Sequence, residues 1–220
     1  MNYKLTEFLA YLIGIAAIIG LIKIRTIHQA NYPFILFLWL GFINEILSTI
    51  FISLYHTNVI NSNIYVLFST VILLYQFKCW NLFSDKKNFF LFLALSIALF
   101  WIYENFIFSS FYIFNGYSRV IFSLLIILMS IHSIRSVVSK KGQKLAQNHI
   151  FIACISLIFF YTSKAIVEIF WINGLNSSKI FRIQLHRINV YVNLVTNIFY
   201  VIVILWMPKK QKCTFQYSLQ

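Results

Sequence analysis

Residues 33–55 read PFILFLWLGFINEILSTIFISLY, a run in which Glu45 is the single charged side chain. A run this long and this apolar fits a helix that crosses a bilayer, which takes about 20 residues. The carboxylate in its middle does not fit hydrocarbon, where a charge costs at least ~2.5 kcal/mol. Glu45 therefore faces a partner, a cavity or a path. Two more of the chain's five acidic residues sit in the same way. Glu104 lies in the apolar run 88–112 and Glu168 in the run 149–172.

The rest of the chain repeats the pattern. Of its 220 residues, 60% are hydrophobic and 10% charged, and mean hydropathy is +0.81. Soluble domains are about 45–50% apolar, so this chain has too little polar surface to face water. The runs lack the strict two-residue alternation of membrane β-strands. The expected fold is all-α, a bundle of seven transmembrane helices over 6–24, 33–55, 62–83, 88–112, 118–135, 149–172 and 186–207. Residues 1–208 then form one transmembrane domain and 209–220 a short basic cytoplasmic tail. The first run has no small-residue cleavage site after it and reads as a retained helix. The connections are too short for a soluble catalytic or nucleic-acid-binding domain. Cys79, Cys154 and Cys213 show no paired spacing, so no disulfide framework is expected.

Lys and Arg set the expected orientation. Twelve fall in one set of connections, among them Lys23, Arg25, Lys78, Arg135, Lys140, Lys141, Lys144 and Lys209, whereas five fall in the other: Lys4, Arg119, Lys179, Arg182 and Arg187. The positive-inside rule places the N-terminus outside and the C-terminus in the cytoplasm. The net charge of +13 then reflects loops that sit against anionic headgroups rather than a nucleic-acid surface. Trp80, Trp171 and Trp206 fall near span ends, as interface anchors do.

Polar residues recur on helix faces. The second span carries Gly41, Glu45, Ser48, Thr49 and Ser53 at three- and four-residue spacing. The sixth carries Tyr161, Lys164, Glu168 and Trp171, and Lys164 and Glu168 are placed to pair on their own helix. The seventh carries Asn189, Asn193 and Asn197, a ladder of amides that serves either as interhelical glue or as a binding face. Arg119 opens the fifth span above Ser123, Ser130 and Ser133, and an ion pair with Glu104 across the preceding hairpin is expected. Three carboxylates match Arg119, Lys164 and Arg187 in charge. Together with the asparagines they predict a polar vestibule open to the outside, with Glu45 near its floor. Ser177 or Ser178 is expected to cap a last helix that begins outside the membrane.

Several chemistries find no residues. His28, His56, His132, His149 and His186 form no metal-binding pair, and only a weak shared role joins His132 and His149. No phosphate loop and no serine elbow is present. The single aspartate, Asp85, excludes paired-aspartate proteolysis. Pro33 and Pro208 both lie at span ends, unlike the mid-span prolines of the small seven-span sugar carriers, and broken helices are not indicated. No cofactor is expected.

Phe151-Ile152-Ala153, Ser156-Leu157-Ile158-Phe159-Phe160-Tyr161-Thr162-Ser163 and Val195-Thr196-Asn197-Ile198-Phe199-Tyr200 resemble segments of small seven-span inner-membrane proteins of the Bacteroidetes. Asn44-Glu45 matches an acidic position in their second span. The third span departs from the pattern, since Tyr65-Val66-Leu67-Phe68 leads to no acid. The resemblance implies a membrane sensor or accessory module without an output domain. The expected function is therefore a non-enzymatic membrane sensor or accessory subunit. Its outer vestibule receives an unidentified ligand, and a separate protein is contacted through Lys140, Lys141 and Lys144. A proton-coupled carrier or ion path through the intramembrane carboxylates is the alternative.

Overall fold

The computed structural model describes residues 9–83, 87–139, 145–172 and 179–210. These are all-α, with one isolated β-bridge between Ile27 and Lys209 and no strand among them. The helices are α1 (Ile13–Lys23), α2 (Tyr32–Tyr55), α3 (Val59–Cys79), α4 (Lys87–Ile102), α5 (Tyr117–Val138), α6 (His149–Ile172) and α7 (Lys179–Trp206). Six apolar stretches are long enough to cross a membrane: 29–55, 59–79, 88–108, 117–138, 149–172 and 183–206. The protein is thus a multi-pass membrane protein whose outer surface meets lipid. Leu95, Leu99 and Leu128 are each about two-thirds exposed on that surface, where water would penalise them and acyl chains do not.

The helix boundaries follow from local chemistry. A single 3₁₀ turn, Gln29–Asn31, leads into α2, and Pro33 falls in its first turn, where a missing N–H costs nothing. His56 closes α2 in the left-handed region (φ 56°), with its N–H bonded to Ile52 O. Asn81 (φ 63°) turns the chain after α3. The helix begun by α4 does not stop at Ile102. It widens into a π-helical stretch, Tyr103–Phe108. Glu104 and Asn105 are neighbours in sequence and both are buried. In a regular helix they would point about 100° apart. Both are nonetheless held inward, Glu104 on the start of α5 and Asn105 on Asn115.

Packing joins α1 to α2, α2 to α3, α3 to α5, α5 to α6, α6 to α7 and α7 back to α1. This closes a ring of six helices, with α4 laid against α3 and, more lightly, α5. The α1–α2 seam is close because of glycine. A Cβ on Gly14 would stand 2.6 Å from the Phe42 ring, and one on Gly41 would stand 2.6 Å from Ile13 Cδ1. Small residues are how helices approach one another in lipid.

The two ends of the ring differ. At one end the α1–α2 connection, the end of α3 and the residues after α7 come together. Gln76, fully buried, accepts from Phe34 N (2.6 Å) and donates to Ala30 O (2.8 Å), which satisfies the start of α2 from the side of α3. Trp80 Nε1 donates to Asn31 Oδ1, so this tryptophan is tied to its neighbours as well as placed at a helix end. Phe34, Phe37 and Tyr200 stack edge to face beneath them. Lys210 N donates to Thr26 O and His28 N to Pro208 O. The other end carries the α4–α5 hairpin and the charges described below.

Among the described residues, six of the seven expected spans fall on helices long enough to cross a membrane, and two of the expected spans differ from the structure. Helix α1 has 11 residues, too few to cross alone, and the start of the expected span 6–24, residues 6–8, lies outside the described residues. Helix α7 starts at Lys179 rather than near 186 and has 28 residues, about 42 Å, so it is longer than hydrocarbon is thick. Ser177, Ser178, Lys140, Lys141, Lys144, Cys213 and the tail from residue 211 also lie outside the described residues.

Candidate functional site

At the hairpin end, Glu104 reaches across from the π-helical turn to the first turn of α5. Its Oε1 accepts from Tyr117 N (2.8 Å) and its Oε2 from Ser118 N (2.7 Å). Gly116, the N-cap of α5, has no side chain to do this. Glu104 is thus a helix cap supplied by another helix, and its charge sits where the helix dipole favours an anion. The expected Glu104–Arg119 ion pair is replaced by these two backbone bonds, because free N–H groups of the α5 start are nearer. Asn105 Oδ1 accepts from Asn115 Nδ2 (2.9 Å), which fastens the same hairpin a second time.

Arg119 is almost wholly buried. Its Nε donates to Asn115 O (2.9 Å), and Nη2 donates to Ser62 Oγ (2.9 Å) and Asn63 Oδ1 (3.0 Å) on α3. Its guanidinium lies 4.1 Å from the centre of the Phe114 ring. Nη1 stands 3.7 Å from Glu168 Oε1 on α6. Glu168 therefore draws on a cation from another helix as well as on Lys164 of its own. Glu168 pairs with Arg119 on the neighbouring α5, and its Oε2 is buried with no hydrogen-bond partner among the described residues.

Lys164 lies one turn deeper on α6. Its ammonium feels both Glu168 and Glu45. It also lies 5.7 Å from the Tyr65 ring centre and 5.9 Å from those of Phe160 and Tyr161, at the outer limit of cation–π attraction. Glu45 on α2 follows, partly buried, in the field of Lys164 and beside Tyr65. The Tyr65 hydroxyl rests near Gly41, one turn before Glu45 on the same helix.

Read inward from the hairpin, the order is Glu104, Arg119, Glu168, Lys164, Glu45, with the sign of charge alternating at every step. Glu168, Lys164 and Glu45 are four, eight and ten residues from the hairpin ends of their helices, which is about 6, 12 and 15 Å. Four helices supply the five groups, and α3 supplies the polar lining of Ser62, Asn63 and Tyr65. Such charges tolerate burial only when paired. The line provides that pairing once, from one end of the ring to its middle.

The other expected residues divide. Asn197 is buried, whereas Asn189 and Asn193 are half-buried, because residues four apart drift by about 40° around a helix and only the last reaches the inner face. Beside Asn197, Thr196 Oγ1 and Tyr200 OH are buried without hydrogen-bond partners among the described residues. Arg187 is exposed, so it does not balance the buried charges as expected. The line therefore holds three carboxylates and two cations. Ser62, Asn63, Tyr65 and Asn115 were not singled out in the sequence. Isolated amides and hydroxyls near span ends carry no periodic signal.

A groove of about 760 Å³ lies elsewhere, between Leu21, Tyr32, Leu36, Trp39, Val71 and Tyr75 on the lipid side of α1, α2 and α3. Its wall is apolar, and it shares no residue with the charged line. No three His, Cys, Asp or Glu side chains among the described residues come together as a metal requires. Compared with protein-family models, curated proteins and solved structures, the chain has no match.

Proposed function

We propose that this chain is a seven-span protein of a bacterial inner membrane, with its N-terminus outside and C-terminus in the cytoplasm. It acts without catalysis as a sensor or accessory subunit. The observation that carries the reading is the charged line itself. Five ionisable groups gather along one inward path and do not form separate surface pairs. Glu168 Oε2, Thr196 Oγ1 and Tyr200 OH are buried with no hydrogen-bond partner among the described residues, which fits a site that receives a small polar ligand or ion.

The orientation rests on charge. Lys23, Arg25, Lys78, Arg135, Lys209 and Lys210 all lie at the end away from the hairpin. Cytoplasmic loops carry such an excess. The line then opens toward the periplasm. Lys140, Lys141 and Lys144, between α5 and α6 on the cytoplasmic side, are the proposed contacts with a separate partner. Packing between α5 and α6 is the most extensive in the ring, so a change at Arg119–Glu168 reaches that loop through the best-packed pair of helices.

In-membrane crosslinking followed by purification tests this. A discrete partner is expected, lost in the K140A/K141A/K144A variant and changed in yield by Glu45→Gln. Absence of any partner overturns the accessory role. The alternation of sign along the line favours one second reading, a proton-coupled carrier. Flux into liposomes that Glu45→Gln abolishes would select that reading instead.

A further inference from the structure

We propose that the inner end of the charged line is a proton-binding site, and that the Glu45 carboxyl is the group that takes the proton. This deepens the sensor reading by naming the ligand, and it rests on the line being the functional site.

The assignment comes from counting partners. Glu104 holds two backbone N–H groups at 2.8 and 2.7 Å, at the start of a helix. Glu168 has Arg119 at 3.7 Å and is also in the field of Lys164. Glu45 has only Lys164, which it shares with Glu168, and Lys164 lies near Arg119 as well. The groups facing this part of the ring are Tyr65 on α3, Lys164 and Tyr161 on α6, and Tyr200 on α7. Toward α1, Tyr11 donates to Thr49 (2.7 Å), one turn further along α2. Of these three carboxylates, Glu104 has a helix terminus and Glu168 a cation within 4 Å, and Glu45 has neither.

Charge leads to the same residue. The five groups sum to one excess negative charge, and the exposed Arg187 does not offset it. An uncompensated charge in a low-dielectric interior is costly, so the site recruits one cation. A metal ion needs several hard ligands, and among the described residues no three acidic, His or Cys side chains converge. A proton needs one oxygen. One O–H bond forms at Glu45, the proton comes from hydronium or water reaching the line from the hairpin end, and nothing is oxidised or reduced.

Protonation has a mechanical consequence here. Neutral Glu45 no longer attracts Lys164, whose ammonium then belongs to Glu168 alone. Glu45 is on α2 and Glu168 on α6, so one proton removes an attraction that acts across the ring and leaves one that acts within a helix.

The test is infrared difference spectroscopy on the full chain in nanodiscs, between mildly alkaline and mildly acidic buffer. A protonated-carboxyl C=O band is expected on acidification. It should vanish in Glu45→Gln and persist in Glu104→Gln. Glu45→Asp should keep the band at a shifted frequency, and this reads the site even if the glutamine variant fails to fold. No band in the wild type, or a band that survives Glu45→Gln and disappears in Glu168→Gln, overturns the proposal. A missing band with the crosslinked partner still present would leave the accessory role standing and remove only the proton.

Discussion

Arg119 Nη1 stands 3.7 Å from Glu168 Oε1 and ties the start of α5 to the end of α6, with both side chains nearly sealed from solvent. The arginine is held by three further hydrogen bonds, whereas the glutamate has one oxygen with no partner among the described residues. The pair is fixed on one side and open on the other.

Arg119→Met should destabilise the fold by about 3–5 kcal/mol, because it leaves Glu168 as an uncompensated buried charge. Arg119→Met/Glu168→Leu should cost less than the sum of the single changes. Arg119→Lys should not restore stability, since a single ammonium cannot reach Asn115, Ser62, Asn63 and Glu168 at once. Unfolding free energies in bicelles measure all three.

Glu104→Ala should cost about 2 kcal/mol, because it uncaps α5 and leaves two N–H groups unbonded. Glu104→Gln should cost about half as much, since the amide keeps one acceptor and loses the charge–dipole attraction. Hydrogen exchange checks the location. Protection should fall at Tyr117 and Ser118 first.

Gln76→Leu should cost about 2 kcal/mol or more, because Phe34 N–H and Ala30 C=O would be left buried without partners. This clamp is at the end of the ring away from the charges. Its loss should add to that of Glu104→Ala within about 0.5 kcal/mol, as distant sites do.

Gly14→Val should weaken the docking of α1 on α2 by about 1–3 kcal/mol, because the added carbon meets the Phe42 ring. Phe42→Ala in the same chain should recover part of that loss. Protease access to the α1–α2 connection, compared between the two variants, reports the docking.

The helices were legible because lipid imposes a strong rule: every apolar run long enough to span must be helical. That rule gave the last six runs to within a few residues, the start of α7 excepted. It said nothing of the π-helical turn at Tyr103–Phe108, because adjacent buried polar residues such as Glu104-Asn105 also occur in the regular helices here, as Thr196-Asn197 does. The intramembrane acids were legible for the same energetic reason. Their partners were not. Spacing on one helix made Lys164 the natural mate of Glu168, whereas the mate proved to be Arg119 from a different helix, brought near by the α5–α6 packing. Arg187 looked equivalent to Arg119 in sequence and differs only in the face it occupies. Asn63, which holds Arg119 and the hairpin together, looked like any amide near a span end.

The claim on which the rest depends is that Lys164 serves two carboxylates and so joins the hairpin charges to Glu45. The most direct measurement is the unfolding free energy of Glu45→Gln, Glu168→Gln and the double variant. If Lys164 is shared, either single change leaves it a partner and the double change leaves it none. The double variant should then lose about 1 kcal/mol or more beyond the sum of the singles. Losses that add within about 0.5 kcal/mol would mean that the two carboxylates belong to separate structures, and the continuous line would be contradicted.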